Sequence, residues 1–327
     1  MTSSFKIGVS ARLGAGSVHT TTFVDAVNHA FIQLSTRHPE LNITLVWADD
    51  MASAAGASKA SDELVRQGVD VVVGHFASSA AAVAATIYDQ HKIPLLLPAA
   101  TAGYLIEDYV STYRLCPSDR ALAAGLYHAI QEKGEGARII VVSDTSVHGD
   151  SMREELLILE PSHFVKTDNG LDGLAVSPAD SAVVFCGMYQ NAVDFVQRNS
   201  QCGLPIYFSD DALHDDLLVD TADCPLEISV VGFKRQGQLS PVQMIYYTET
   251  FTAMEVAYSL LMENPIAQNR DAILKAKTHD TMMGPLHFND ARENPFADAQ
   301  CWDIVNQKFL PSKHKKNNQQ VGIPNEC

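Results

Sequence analysis

The sequence predicts an α/β protein made of two Rossmann-like, doubly wound lobes. With 327 residues, 46% of them hydrophobic, the chain is long enough for two domains that each bury a core of their own. From Lys6 onward, short β-branched runs alternate with longer segments of helical periodicity, which is typical of a parallel sheet with crossover helices. The same alternation starts again after Pro117. Two similar units in tandem therefore indicate two lobes.

The first unit is predicted to contain strands and helices in strict alternation. Its first helix follows from apolar residues at helical spacing between Phe23 and Leu34, with Pro39 just past the end. In chain order, the predicted elements are a strand over 6–9, a helix around 23–34, a strand over 43–47, a helix over 59–67, a strand over 69–73, a helix over 81–90 and a strand over 93–97.

The second unit repeats this order and is followed by elements that cross between the lobes. Its predicted elements are a helix over 120–133, a strand over 138–142, a helix over 151–159, a strand over 182–185, a helix over 192–199 and a strand over 205–208. We expect the long apolar helix over 242–263 to return to the first lobe, and a strand pair near 285–288 and 302–305 to complete the second. The predicted lobes are thus 5–117 with 237–286, and 118–236 with 287–311; the polar residues 312–327 are predicted to be a disordered tail.

The position of a binding cleft follows from the predicted sheets. In open parallel sheets, ligands bind outside the carboxyl ends of the strands. A cleft between two such lobes would be formed by the loops after Val73, Leu97, Val142, Phe185 and Phe208. The sequence therefore predicts a small-molecule site between the lobes.

Charge and hydropathy exclude two classes of partner. The 39 acidic and 23 basic residues leave a net charge of -16, which repels phosphate backbones and argues against nucleic acid. No run reaches the roughly 18 apolar residues of a membrane span, so no membrane insertion is expected. Residues 1–10 run directly into a strand-like segment without a signal peptide. We expect a periplasmic location if a leader was removed, and a cytoplasmic one if Met1 is the native start.

The sequence contains no motif for catalysis, a cofactor or a metal. There is no GxSxG, HExxH or glycine-rich phosphate loop, and the six cysteines are scattered without a CxxC pair. The segment SDDALHDD, residues 209–216, suggests a metal site. A short amphipathic helix would have the same polar face, however, and we favour that interpretation. The chain is therefore not expected to be an enzyme, and no cofactor or metal is expected.

One stretch resembles a known family. The segment GVDVVVGHFASSAAAVAATIYDQHKIPLLLPAATAGYL, residues 68–105, resembles the branched-chain (Leu/Ile/Val) amino-acid binding proteins of ABC transporters. WADD, YRLCPSD, VVSDTSVHGD, VVFCGMYQ and MGPLHFND follow the family's order along the chain. The resemblance implies the type I periplasmic binding protein fold, a venus flytrap whose two lobes are joined by three crossovers.

The resemblance implies which residues hold a ligand's carboxylate. In the family, that group lies between donors from two loops that match Ser78 and Ser79 in one case, and Ala99, Ala100 and Thr101 in the other. General physical principles also favour a carboxylate at this place, because each loop leads into a helix whose amino-terminal N–H groups attract an anion. The alternative is that Ser78 and Thr101 only cap these two helices.

The second lobe departs from the family's pattern. In the family, a glutamate binds the ligand's ammonium group, and Asp211 matches its position. The sequence leaves open whether Asp210 or Asp211 faces the cleft. The alternative for Asp211 is an N-cap of a helix starting near residue 212. Where relatives place tyrosines, this chain has His148 and, after another strand, Met188 and Tyr189, which puts a leucine-type ligand in doubt. His148 could equally be a solvent-facing turn residue.

Three functions remain open at this point. The resemblance implies a solute-binding protein that closes on an amino acid or analogue as the substrate-binding component of an ABC-type uptake system, with a permease as partner. The first alternative is a cytosolic amide or amino-acid sensor that acts on a regulatory protein. The missing leader favours this sensor. So do the alanines at 52 and 77, where some relatives have a disulfide, and the shortened segments at 14–19, 170–178 and 233–243 at the rims of the cleft. An enzyme on the same scaffold is the second alternative.

Overall fold

The computed structural model describes residues 4–14, 19–134, 138–166, 174–234 and 245–312. The predicted tail from 313 onward, most of the shortened segment 14–19, part of 170–178 and most of 233–243 lie outside these residues. In the described part of the chain, the elements form two α/β lobes, each around its own sheet, so the predicted fold class is confirmed.

The first lobe is built on a five-stranded, all-parallel sheet. Its strand order is β2-β1-β3-β4-β5, in which β1 pairs with both β2 and β3. The strands are β1 (Ser4–Ala11), β2 (Asn42–Asp49), β3 (Val71–Gly74), β4 (Leu95–Leu97) and β5 (Thr112–Arg114). The central strands β3 and β4 are buried along their length, as expected for strands covered by helices on both faces.

Among the described residues, six α-helices belong to the first lobe, and they cover both faces of its sheet. They are α1 (Thr20–Arg37), α2 (Ala54–Gln67), α3 (Ser78–His91), α4 (Tyr104–Glu107), α9 (Tyr247–Met262) and α10 (Arg270–Ala276). Apolar side chains of α1 and α9 form one core with the sheet, and those of α2 and α3 form the other. Of the helix predicted over 242–263, the described part is α9, which lies in the first lobe as expected; residues 242–244 lie outside the described residues.

The second lobe contains a seven-stranded mixed sheet in the order β14-β13-β10-β9-β8-β6-β7. Five strands are parallel, β13 runs antiparallel to β10, and β14 runs antiparallel to β13. The strands are β6 (Ile139–Ser143), β7 (Phe164–Lys166), β8 (Ala182–Cys186), β9 (Ile206–Phe208), β10 (Ile228–Phe233), β13 (Ala299–Ile304) and β14 (Phe309–Pro311). Its helices are α5 (Asp119–Lys133), α6 (Val147–Leu159), α7 (Tyr189–Asn199) and α8 (Asp215–Asp220).

The strand expected near 285–288 belongs to a different part of the molecule. Strand β12 (Gly284–Leu286) forms a hairpin with β11 (His279–Thr281) and does not join the second sheet. Leu286 and Phe288 pack in the core of the first lobe, where the Phe288 ring lies 5.0 Å from that of Tyr113. Phe288 therefore belongs to the first lobe and not to the second, because its apolar side chain packs in the first lobe's core. The partner strand predicted at 302–305 does lie in the second sheet, within β13.

Arg114 joins two of the segments at the border between the lobes. Its side chain is 2% exposed, and its Nη1 donates to the carbonyl oxygens of Thr101 at 2.7 Å and Ala102 at 2.8 Å. Its Nε donates to Glu293 at 3.1 Å, and Nη2 forms an ion pair with the same carboxylate. Glu293 lies on the crossover between β12 and β13. One buried guanidinium thus ties the loop after β4 to a crossover.

We predict that Arg114→Met destabilises the protein by about 3–5 kcal/mol, because two buried carbonyls and a carboxylate lose their donor. Urea unfolding followed by circular dichroism measures this loss. Glu293→Gln is the matched control: its side chain is 32% exposed and the amide oxygen still accepts, so we expect a loss below about 1 kcal/mol. Equal losses in the two variants would contradict the central role of Arg114.

Candidate ligand-binding cleft

A cavity of about 670 Å³ lies between the two lobes. Its walls are loops and first helical turns at the carboxyl ends of strands, and all five loops expected from the sequence contribute to it. From the first lobe, the cavity is lined by residues that include Arg12, His19, Phe23, Phe76, Ser78, Ser79, Ala99 and Thr101. From the second lobe, the lining residues include His148, Met188, Tyr189, Asp210 and Asp211. Tyr246 reaches the cavity from just before α9.

The amino terminus of α3 forms part of the first-lobe wall. Ser78 is the first helical residue, and the N-cap is Ala77, which has no side chain that could accept from the first N–H groups. The alternative that Ser78 caps the helix is therefore wrong. Ser78 and Ser79 both line the cavity. A helix start without a side-chain cap presents N–H donors and the positive end of the helix dipole to an anion.

The loop after β4 forms the neighbouring part of this wall. Thr101 is 2% exposed and lines the cavity, while its carbonyl oxygen accepts from Arg114 and from the backbone N–H of Asp119. It does not cap α4, whose N-cap is Gly103, so that alternative is also wrong. Ala99 lines the cavity, but Ala100 does not: it is 1% exposed, and its carbonyl accepts from the thiol of Cys116. Ala100 therefore supports the loop from behind.

Three predicted residues of the second lobe lie in the opposite wall. His148 is in the first turn of α6, with its side chain 14% exposed, so it is not a solvent-facing turn residue. Met188 is the N-cap of α7 and Tyr189 its first residue. The Tyr189 ring lines the cavity, and its hydroxyl donates to Asp220 at 2.7 Å. Burial and this contact raise the pKa of Tyr189.

Asp210 and Asp211 both line the cavity. They form a 3-10 turn with the next residue, which begins after Ser209, so neither caps α8. Oδ2 of Asp211 accepts from the backbone N–H of Tyr189 at 2.7 Å. Oδ2 of Asp210 accepts from the hydroxyl of Tyr246 at 3.1 Å. The two neighbouring carboxylates are therefore held by different parts of the chain.

Each carboxylate has a histidine beside it. Nε2 of His19 lies 3.5 Å from Oδ1 of Asp211, and Nε2 of His148 lies 3.4 Å from Oδ1 of Asp210. His19 comes from the segment before α1, so its contact with Asp211 joins the two lobes. Two imidazole–carboxylate pairs therefore lie side by side in the cleft.

The pKa values of these four groups differ because burial and charge oppose each other. Burial raises the pKa of Asp210 to about 6, although His148 acts against it. Burial would also raise the pKa of Asp211, but contacts with His19 outweigh it and lower the pKa below its ordinary value. Burial would lower the pKa of both histidines, yet Asp211 beside His19 and Asp210 beside His148 raise them. Asp211 is thus stabilised as an anion, and Asp210 is not.

Sequence reasoning missed several residues of the cleft. Arg12 and His19 lie at the two ends of the loop after β1 and line the cavity. Although β1 is a central strand of the first sheet, its loop is not among the five that the sequence predicted for the cleft. The rule of carboxyl-end loops, applied to β1, would have found both. Phe23, Phe76 and Tyr246 form an aromatic cluster with ring centroids 4.8 and 5.2 Å apart. The sequence did not mark these three residues as lining a cavity, because single aromatic residues are also common in hydrophobic cores.

The acidic segment 209–216 is divided between two short helices. Asp211 lies in the 3-10 turn, while His214 is the N-cap of α8 and accepts from the N–H of Asp216. Within the described residues, no group of three or more His, Cys, Asp or Glu side chains could hold a metal ion. The same part of the chain has no helix whose length and apolarity would suit a membrane span.

The two lobes, each around its own sheet, and the cavity between them have the fold of the type I periplasmic binding proteins. Residues 5–157 match the family described as periplasmic binding protein. This match covers just under half of the chain, and it bears out the resemblance to the branched-chain amino-acid binding proteins.

Curated relatives match parts of the chain. An amino acid binding protein of Pseudomonas aeruginosa is 30% identical over 198 residues, which is 56% of this chain and 53% of that protein. The Leu/Ile/Val-binding protein of Escherichia coli is 27% identical over 161 residues, 47% of this chain and 42% of that protein. The matched part thus spans about half the length of these relatives.

Solved structures match nearly the whole chain in fold. A leucine-binding protein from Thermotoga maritima superposes with a TM-score of 0.77 at 15% identity, covering 94% of this chain and 98% of that one. A solute-binding protein from R. palustris in complex with 4-hydroxybenzoate gives a TM-score of 0.74 at 12% identity, covering 95% and 96%. At these identities the likeness concerns the fold.

We predict that Asp210→Asn stabilises the ligand-free protein at pH 8 by about 1–3 kcal/mol. The raised pKa means that folding at this pH buries an anion that the unfolded chain keeps in water. The penalty is complete above about pH 6 and absent below the ordinary value of 3.8, so most of the gain should be lost at pH 4. Urea unfolding at the two pH values measures it.

Asp211→Asn is the matched control, with the opposite sign. Its lowered pKa means that the anion stabilises the fold above the ordinary value of 3.8, and that this stability is lost only as the pH falls through the lower folded value. We expect Asp211→Asn to lower the free energy of unfolding at pH 8 by at least about 1 kcal/mol. The same sign in both variants would contradict this electrostatic description.

Proposed function

We propose that this protein closes on one small polar ligand, an amino acid or a close analogue, as the substrate-binding component of an ABC-type uptake system. The observation that carries the proposal is the cavity of about 670 Å³ between the lobes, in which hydrogen-bond donors of the first lobe lie opposite two acidic residues of the second. Its volume lies within the roughly 300–1,000 Å³ of small-molecule sites. Binding without chemical change is part of the proposal.

The first-lobe wall suits a carboxylate. The start of α3 offers N–H donors without a side-chain cap, Ser78 and Ser79 add hydroxyls, and Thr101 adds another from the loop after β4. The donors of α3 lie at a helix amino terminus, and the Thr101 hydroxyl lies on a loop that is held by buried hydrogen bonds. We infer that a ligand's carboxylate is held by Ser78, Ser79 and Thr101.

The rest of the cavity suits a ligand with an apolar or aromatic part. Phe23, Phe76, Met188, Tyr189 and Tyr246 contribute apolar surface on several sides. The structural neighbours support a carboxylate as the common element, since one is named a leucine-binding protein and another is in complex with 4-hydroxybenzoate. A ligand screen should therefore contain both amino acids and aromatic acids.

A thermal-shift screen tests the proposal. We expect at least one amino acid or aromatic carboxylic acid to raise the melting temperature, because a ligand that binds only the folded state stabilises it by mass action. Isothermal titration calorimetry then measures the affinity, and mass spectrometry after prolonged incubation should recover the ligand unchanged. Conversion of the ligand, or no shift from any carboxylate, would refute the proposal.

The first-lobe contact has its own prediction. We expect Thr101→Val to weaken binding of the carboxylate ligand by about 1.5–3 kcal/mol, because a hydrogen bond to a charged group is lost. Thr86→Val, on the exposed side of α3, is the matched control and should bind like the unchanged protein. Unchanged affinity in Thr101→Val, measured by calorimetry, would remove Thr101 from the ligand contacts.

A further inference from the structure

Two of the cysteines occupy equivalent places before neighbouring strands of the second sheet. The sequence CGLPI begins at Cys202 and leads into β9, and the sequence CPLEI begins at Cys224 and leads into β10. These strands are parallel neighbours, and their first residues, Ile206 and Ile228, pair in register. Each cysteine precedes its isoleucine by four residues. Cys202 and Cys224 therefore hold the same position in the two segments.

The two segments already run side by side where the strands begin. The backbone N–H of Ile206 donates to the carbonyl oxygen of Glu227 at 2.8 Å, which joins one segment to the other. Leu204 and Leu226, the matching leucines of the two segments, both pack against the core of the second lobe, and so does Cys224. The common register thus extends from the strands toward the cysteines.

The turns that carry the cysteines are also alike. Each turn follows a helix, α7 in the case of Cys202 and α8 in the case of Cys224. The backbone N–H of each cysteine donates at 3.0 Å to the carbonyl oxygen three residues earlier. The two helices are neighbours, because the hydroxyl of Tyr189 in α7 donates to Asp220 in α8 at 2.7 Å. Two similar turns therefore lie next to each other at the ends of adjacent helices.

The thiols of these two cysteines are reduced and accessible. Cys202 and Cys224 are free and partly exposed. The other described cysteines are buried: Cys116, Cys186 and Cys301. The thiol of Cys202 donates to the carbonyl oxygen of Leu204 at 3.7 Å. Burial raises the pKa of the Cys224 thiol, and the nearby Cys202 thiol raises it further. A reagent in solution can therefore reach this pair and not the buried three.

We propose that Cys202 and Cys224 form an intramolecular disulfide when the protein meets an oxidant that itself carries a disulfide, such as glutathione disulfide. Neighbouring strands lie about 4.8 Å apart, and the Cα atoms of a disulfide are about 4.4–6.8 Å apart, so two cysteines at matching positions are within bridging range. This inference does not depend on the proposed function, because it requires no ligand in the cleft.

The bond forms by two steps of thiol–disulfide exchange. One of the two cysteines, as a thiolate, attacks a sulfur of glutathione disulfide, forms a mixed disulfide and releases one glutathione. The thiolate of the other cysteine then attacks the protein sulfur of the mixed disulfide and releases the second glutathione. The two protein thiols together lose two protons and two electrons. The electrons reduce the glutathione disulfide, and the protons complete its two thiols.

The bond closes a covalent loop around one wall of the cleft. This loop contains β9, the turn with Asp210 and Asp211, and α8. Both cysteines precede their strands, so they lie at the edge of the sheet opposite to the cleft, and neither is among the residues that line the cavity. A cross-link limits the freedom of the unfolded chain and so stabilises the folded state. Oxidation should therefore stabilise this wall without blocking the cavity.

The test begins by incubating the purified chain with glutathione disulfide. The remaining thiols are then blocked with N-ethylmaleimide in denaturant, and the protein is digested and analysed by mass spectrometry without reductant. We expect one cross-linked pair of peptides, with Cys202 in one and Cys224 in the other, whose mass is two hydrogen atoms below the sum of the free peptides. N-ethylmaleimide should be found on the buried cysteines: Cys116, Cys186 and Cys301.

Thermal stability is the second readout. We expect oxidation to raise the melting temperature by at least about 4 °C, and dithiothreitol to reverse the rise, because only the cross-link is removed. Cys202→Ser and Cys224→Ser each keep one thiol of the pair and should show no rise. Cys327→Ser is the matched control: it replaces a cysteine outside the described residues, keeps the pair and should respond like the unchanged chain.

Three results would overturn the inference. The first is a cross-link that joins Cys202 or Cys224 to a different cysteine, and the second is a glutathione adduct that persists on both, since either shows that the two sulfurs do not meet. The third is a rise in melting temperature that Cys202→Ser retains. If a serine variant fails to fold, the peptide map of the unchanged chain still decides.

Discussion

The parallel arrangement of the strands is the constraint on which the rest of this structure depends. Parallel strands need crossover helices, so every strand of the first sheet ends at the same edge and every following loop begins there. The second sheet repeats this geometry with its five parallel strands. With the two edges facing one cavity, residues from eight segments that are distant in sequence become neighbours.

Burial then decides the chemistry of the cleft. Each charge at this edge is largely removed from water, so it needs a partner of opposite charge or a hydrogen-bond donor. Asp211 obtains both from His19 and the N–H of Tyr189, and Asp210 obtains both from His148 and the hydroxyl of Tyr246. Two adjacent acids of one turn thus acquire pKa values on opposite sides of the ordinary value.

Rigid support surrounds this polar centre. The guanidinium of Arg114 holds the loop that carries Thr101 and ties it to a crossover. Behind the start of α3, the buried His75 contacts Asp50 at 2.7 Å and links the loops after β2 and β3. Because Arg114 and His75 are both buried at the base of loops that line the cavity, these contacts hold the first-lobe wall in a fixed arrangement.

The sequence by itself determined the class of fold, the order of most elements and the five loops of the cleft, because hydrophobic periodicity and the geometry of parallel sheets are local or general properties. It placed the starts of α3, α6 and α7 three to four residues late. The first turns of these helices face the cavity with Ser78, His148 and Tyr189, so they do not follow the apolar pattern of the core.

Only the tertiary structure decided which residues meet across the cleft. The pairing of His19 with Asp211, the distinct partner of Asp210, and the place of Phe288 in the first lobe each join residues that are distant along the chain. A sequence pattern records which side chains are buried, but partners at such separation depend on how the lobes pack. That packing is a property of the whole chain, and no local segment specifies it.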